Sequence, residues 1–166
     1  TRRCCDEPIA LYRTEGGQPV ALHDRCTHRG TPLSFGKVVG DALQCAYHGM
    51  QFGPSGKCVR IPTQDVIPPD ACVRAYPLIE RGGILWTYMG PPAEQPPLPE
   101  WEFAMVPADR RFVAKRTQEC NWLQAMEGGI DSSHVSFLHS GELNSDPLFK
   151  GSKGNAYNLN DMKPHF

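Results

Sequence analysis

Cys26-Thr27-His28 and, sixteen residues further on, Cys45-Ala46-Tyr47-His48 are the stretches that decide how this chain is read. Each pairs one cysteine with one histidine, and each is followed closely by glycine, at Gly30 and at Gly49. Together they offer two thiolates and two imidazoles. That set suits a [2Fe-2S] cluster in which one iron takes sulfur and the other nitrogen. It also suits a tetrahedral zinc ion. Zinc-finger pairs normally bring Cys with Cys and His with His, whereas each loop here mixes the two, and this favours the cluster. Replacing two thiolates by neutral imidazoles raises the reduction potential and ties electron transfer to a proton on the ligand rings.

The surroundings agree with a soluble metalloprotein. The chain has 166 residues, 40% hydrophobic and 21% charged, enough for one real core. A formal net charge of -1 gives no electrostatic reason to expect nucleic acid or a membrane surface as partner. The sequence contains no apolar run long enough to span a bilayer and no basic-then-apolar leader, so a cytoplasmic location is expected. Seven cysteines, an odd number at irregular spacing, argue for metal ligation and free thiols over a disulfide framework. Cys4, Cys5, Cys58, Cys72 and Cys120 are expected to be structural thiols. The absence of an initiating methionine before Thr1 and the stop at Phe166 after a polar stretch suggest that sequence is missing at both ends.

Short strands punctuated by turns fill the first ninety residues. Ile9 to Arg13 and Pro19 to His23 flank Glu15-Gly16-Gly17, a hairpin signal. Further strands are expected at Leu43 to Ala46, Gln51-Phe52, Lys57 to Ile61, Cys72 to Ile79 and Ile84 to Met89, with a tight turn at Gly53-Pro54-Ser55-Gly56. Residues 1–90 therefore read as an antiparallel β domain. Residues 91–100, with prolines at 91, 92, 96, 97 and 99, read as a linker. Beyond it, Arg111 to Arg116 is a candidate strand. Trp122 to about Val135 has helical character, with Asn121 as N-cap and Gln124 placed as in a capping box.

That helix carries a second constellation. Glu127, Asp131 and His134 recur at i, i+4 and i+7, within about 60° of one another on one helix face. His139 follows five residues later, about 140° round from His134, so the helix must end or distort before it if both are to face one metal. Taken alone, a polar face with two histidines is also what a solvated surface looks like. Gly128 and Gly129 cost about 1 kcal/mol each within a helix, which suggests close packing or access to a metal.

With both motifs in view, the chain resembles the Rieske non-heme iron oxygenases, in their terminal oxygenase (alpha) subunits. The run Tyr47-His48-Gly49-Met50-Gln51-Phe52 resembles their Rieske domains. Glu-x3-Asp-x2-His-x4-His, at Glu127, Asp131, His134 and His139, resembles their mononuclear iron signature. Asn121-Trp122-Leu123-Gln124 through Ser136-Phe137-Leu138-His139 is most similar to the phthalate dioxygenase type. Asp24 through Gly30 and Tyr76 through Arg81 are equally similar to vanillate O-demethylase oxygenase components. Respiratory Rieske proteins carry an extra cysteine in each loop; Tyr47 stands at one such position, and residues 29–44 contain none.

The resemblance implies an α+β protein, with the Rieske domain followed by the beginning of a helix-grip-like catalytic domain over residues 101–166. It implies that Cys26, His28, Cys45 and His48 hold the [2Fe-2S] cluster and that His134 and His139 bind mononuclear Fe(II). Asp131 is implied to hydrogen-bond both His134 and a cluster-ligand histidine of a neighbouring subunit, as an electron bridge in a head-to-tail homotrimer, with Glu127 and Asn121 near the iron. An NAD(P)H-fed flavin and ferredoxin-type reductase would supply electrons, and O2 would hydroxylate a small aromatic acid, by cis-dihydroxylation or by monooxygenation ending in O-demethylation. The family's third iron ligand is a downstream aspartate; Asp146 and Asp161 lie too near to match it. A Rieske ferredoxin-type electron carrier is the alternative, although it would have no use for residues 91–166. A zinc-stabilised binding module is the other.

Overall fold

The computed structural model describes residues 1–131, 133–136 and 138. The chain divides into two compact units, Thr1–Val113 and a second beginning at Ala114. Among the described residues, no helix is long and apolar enough to cross a membrane.

Ten strands build the first unit. β1 (Arg2–Cys4), β2 (Glu7–Arg13), β3 (Pro19–His23) and β8 (Ala75–Tyr76) form one antiparallel sheet in the order β1-β2-β3-β8. β4 (Lys37–Val39), β5 (Ala42–Gln44), β6 (Gln51–Phe52) and β7 (Cys58–Arg60) form a second, and β9 (Leu78–Arg81) pairs with β10 (Ile84–Thr87) as a hairpin. Side chains alternate across the first sheet as strand geometry requires. Ala10, Val20 and Leu22 join the main core with Leu33, Leu43, Phe52 and Val73, while Ile9, Ala21 and Tyr76 pack on the opposite face. Cys26 and Cys45 belong to that main core, so both thiols project from well-packed backbone.

Several expected boundaries shift for identifiable reasons. The expected strand Cys72 to Ile79 is broken: Cys72 makes an isolated bridge to Lys57, β8 follows, and the chain changes sheets at Pro77, which has no N–H for a ladder. β1 was not expected, because its turn uses Cys5 and Asp6 at φ 48° and 62°, a conformation that non-glycine residues seldom signal. The candidate strand at 111–116 is not formed. Arg111 instead folds back, its Nη1 donating to the carbonyls of Ala104 and Val106 at the end of helix α1 (Glu102–Met105).

The proline-rich segment lies against the β9–β10 hairpin. Arg81 Nη1 donates to the carbonyls of Leu98 and Pro99 at 3.4 and 3.5 Å. Trp86 stacks on Trp101 with ring centroids 4.4 Å apart.

Candidate functional site: a two-loop metal centre

Two loops with the same backbone wiring place the four predicted cluster residues of the first unit. In the first, the Cys26 N–H donates to the Thr31 carbonyl at 2.9 Å and the Gly30 N–H returns to the Cys26 carbonyl at 2.9 Å. In the second, the Cys45 N–H donates to the Met50 carbonyl at 2.8 Å and the Gly49 N–H returns to the Cys45 carbonyl at 3.1 Å. The closing glycines have φ of 70° and 75°, a region in which a Cβ would be strained. The sequence repeat of Cys, then His, then Gly is thus a repeat of one hydrogen-bonded turn, used twice.

The turns converge as two pairs. The thiols of Cys26 and Cys45 are buried and near enough that Cys45 influences the ionisation of Cys26. The imidazoles of His28 and His48 are exposed, with their Nδ1 atoms 3.1 Å apart and ring centroids 4.7 Å apart. Two imidazole nitrogens on one metal, at about 2.0–2.1 Å each, are separated by about 2.9–3.4 Å. The histidine pair therefore fits one metal atom and the thiol pair another, which is the arrangement a [2Fe-2S] cluster with mixed ligands needs. Among the described residues, no three His, Cys, Asp or Glu side chains converge on a single-ion site.

Electrostatics around the thiols are graded. Burial pushes the Cys26 thiol up, the N–H groups of His28 and Arg29 aimed at its sulfur pull the other way, and the neighbouring Cys45 pushes it up again; the outcome is a raised pKa. Ligation by iron would remove that proton, and the same N–H groups would then stabilise the thiolate. Beside both imidazoles lies a cleft of about 470 Å³, lined by residues that include Thr27, Met50, Thr63, Gln64 and Asp70.

A clamp that motif reading did not assign holds the first loop. Asp24 is 5% exposed, and its carboxylate accepts the Ser34 N–H at 2.7 Å and the Ser34 hydroxyl at 2.6 Å. Its own N–H donates to the Pro8 carbonyl at 2.8 Å. Burial would raise the Asp24 pKa, but the two bonds from Ser34, followed by the Thr1 side chain and the N-terminal charge, together hold it below the ordinary carboxylate value. Asp-x-Cys and a serine eight residues after the cysteine were visible in sequence, but nothing in a linear reading joins them.

In the second unit, Asn121 caps helix α2 (Trp122–Ile130), its side-chain oxygen accepting the Leu123 N–H at 2.9 Å. The helix expected to reach about Val135 stops five residues earlier. The cause is Asp131, whose Oδ1 accepts the Ser133 N–H at 2.9 Å and so starts a 3-10 turn over Ser133–Ser136. Asp131 and His134 consequently do not share a helix face with Glu127, yet they still meet: Asp131 Oδ2 lies 3.3 Å from His134 Nδ1. The Ser133 bonds first, and His134 after them, lower the Asp131 pKa. Glu127 is exposed on α2. The expected crowding at the glycine pair is not found, since among the described residues a Cβ at Gly128 or Gly129 would meet nothing within 4 Å. His139, Asp146 and Asp161 lie outside the described residues.

Both the fold and the loops define a Rieske [2Fe-2S] protein. Comparison with known proteins agrees: residues 1–77 match the Rieske [2Fe-2S] domain family, and residues 87–160 match the family described as LigXa C-terminal domain like. The iron-sulfur subunit TsaM1 of the toluene-4-sulfonate monooxygenase system of Comamonas testosteroni is 37% identical over 155 residues, covering 87% of this chain and 42% of the relative. The oxygenase subunit of 3-chlorobenzoate-3,4-dioxygenase from the same organism is 38% identical over 145 residues, covering 86% and 34%. The crystal structure of dicamba monooxygenase bound to 3,6-dichlorosalicylic acid superposes with a TM-score of 0.70 at 35% identity, covering 83% of this chain and 42% of that one. The chain belongs to the Rieske oxygenase family. It spans less than half the length of these relatives.

Proposed function

We propose that this chain is part of a terminal oxygenase, in which Cys26, His28, Cys45 and His48 receive electrons from a reductase and pass them to a mononuclear iron at His134 and His139. A carboxylate from a longer chain would complete that iron site. When bound, the cluster supplies one-electron transfer and the iron supplies activation of O2 for hydroxylation of a small aromatic acid, with O-demethylation as one outcome. The thiols hold the buried side of the centre. If each histidine binds through Nδ1, its Nε2 remains to carry a proton at the exposed side. Asp131, ionised and beside His134 Nδ1, fixes the orientation and basicity of that imidazole in the way carboxylates do for ligating histidines. In the assembled enzyme, a homotrimer of heterologous contacts, it would also bridge to a cluster histidine of a neighbouring subunit.

The observation that carries this reading is the Asp131–His134 pair on the same chain as a complete two-loop cluster site, a pairing that an electron carrier does not need. The names of the relatives support it, since they describe oxygenase components of multicomponent systems acting by monooxygenation and by dioxygenation.

The test is made on the full-length protein. Iron above two per chain, lost on His134→Ala or His139→Ala with the visible cluster spectrum intact, is the expected result. Two irons per chain that are insensitive to either change would reduce the protein to an electron carrier. Asp131→Asn is expected to leave the cluster spectrum unchanged and to abolish turnover.

A further inference from the structure

Tyr47 sits between the ligands Cys45 and His48 but contributes nothing to the core, being 63% exposed. Its ring nevertheless stacks on the His48 imidazole, with centroids 3.8 Å apart and planes 29° from parallel. His48 is itself exposed, so core packing does not hold its ring. The turn hydrogen bonds fix the backbone on either side of it, at Cys45 and Gly49, and say nothing about rotation around χ2. That torsion is broad in histidine, so the backbone leaves open the plane in which the ring lies. Yet the structure has Nδ1 of His48 facing Nδ1 of His28 at 3.1 Å.

We infer that Tyr47 is a positioning residue for His48: its stacked ring holds the plane of the imidazole, and with it the direction in which the edge beside His28 points. The inference rests on the reading of both histidines as cluster ligands. Offset aromatic stacking favours the stacked plane over tilted ones by roughly two- to tenfold. The role belongs to the ring and not to the hydroxyl, so phenylalanine should replace tyrosine without effect.

The experiment uses full-length holoprotein reduced with dithionite, with iron and sulfide counted per chain and the cluster examined by continuous-wave and pulsed EPR. The wild type tests the underlying reading, because a Rieske cluster shows two coupled imidazole nitrogens and their absence would sink that reading whatever Tyr47 does. For Tyr47→Phe, the wild-type spectrum is expected. For Tyr47→Ala and Tyr47→Leu, the coupling of one nitrogen should shift or broaden while the other holds, with altered g anisotropy. A wild-type spectrum in both aliphatic variants overturns the inference, as does a changed spectrum in Tyr47→Phe. Should both aliphatic variants fail to load a cluster, loading kept in Tyr47→Phe supports the inference and loading lost there overturns it.

Discussion

Removing the Ser34 hydroxyl tests how the first loop is held. Ser34→Ala deletes the 2.6 Å bond to Asp24 Oδ2 and leaves the 2.7 Å bond from the Ser34 N–H in place. A hydrogen bond to an ionised, buried acceptor contributes about 1.5–3 kcal/mol, and Asp24, at 5% exposed, has little water to replace it. The loss should depend on pH in a definite sense. Asp24 is depressed in the folded protein, so its contribution is present above the ordinary carboxylate pKa and is lost as pH falls through the folded value. Ser34→Ala raises that folded value and leaves burial to act with less opposition. Destabilisation should therefore approach the full amount near neutral pH and shrink towards acid, where Asp24 is protonated in both proteins. Urea unfolding of wild type, Ser34→Ala and Ser34→Thr at neutral pH and well below the ordinary carboxylate pKa of about 4 measures it, with Ser34→Thr expected to retain the bond. A loss equal at the two pH values, or no loss at neutral pH, would refute the clamp.

The paired loops allow a matched comparison. Gly30→Ala meets only the tip of Arg25 at 4.0 Å and should cost the backbone strain of about 1–2 kcal/mol, whereas Gly49→Ala adds a 3.0 Å approach to the Pro62 ring and should cost more. Iron per chain and unfolding midpoint check the order, and a more damaging Gly30→Ala contradicts it. In the second unit, Asn121→Ala removes the cap of α2 and should lower stability by about 0.5–2 kcal/mol, measured by the helical circular dichroism signal. Tyr12, whose hydroxyl donates to the Asp41 carbonyl at 3.0 Å, is pushed up to about 12 by burial and then by Asp41. Its folded value is raised, so the stabilisation is complete below the ordinary tyrosine pKa of about 10 and disappears as pH rises towards the folded value. Tyr12→Phe, whose ring does not ionise, should accordingly lose less stability than the wild type as pH rises past about 10, measured by urea unfolding across that range.

The four candidate ligands and the β character of the first ninety residues could be read without coordinates, because cysteine, histidine and glycine at short fixed spacing are dictated by local chemistry. The hairpin of β2 and β3 and the short strand at Gln51-Phe52 were likewise local, written in alternation and turn residues. Helix α2 and its Asn121 cap were legible for the same reason, but its end was not. Whether Asp131 continued the helix face or turned to take the Ser133 N–H was a competition between two hydrogen bonds of similar strength, which periodicity does not weigh. Tertiary structure alone decided that the two loops meet as a thiol pair and an imidazole pair and that Ser34 returns to Asp24. Spacing along the chain says which donors exist. Which of them face one another depends on sheet register and core packing, interactions between residues far apart in sequence, and those are settled only when the chain is folded.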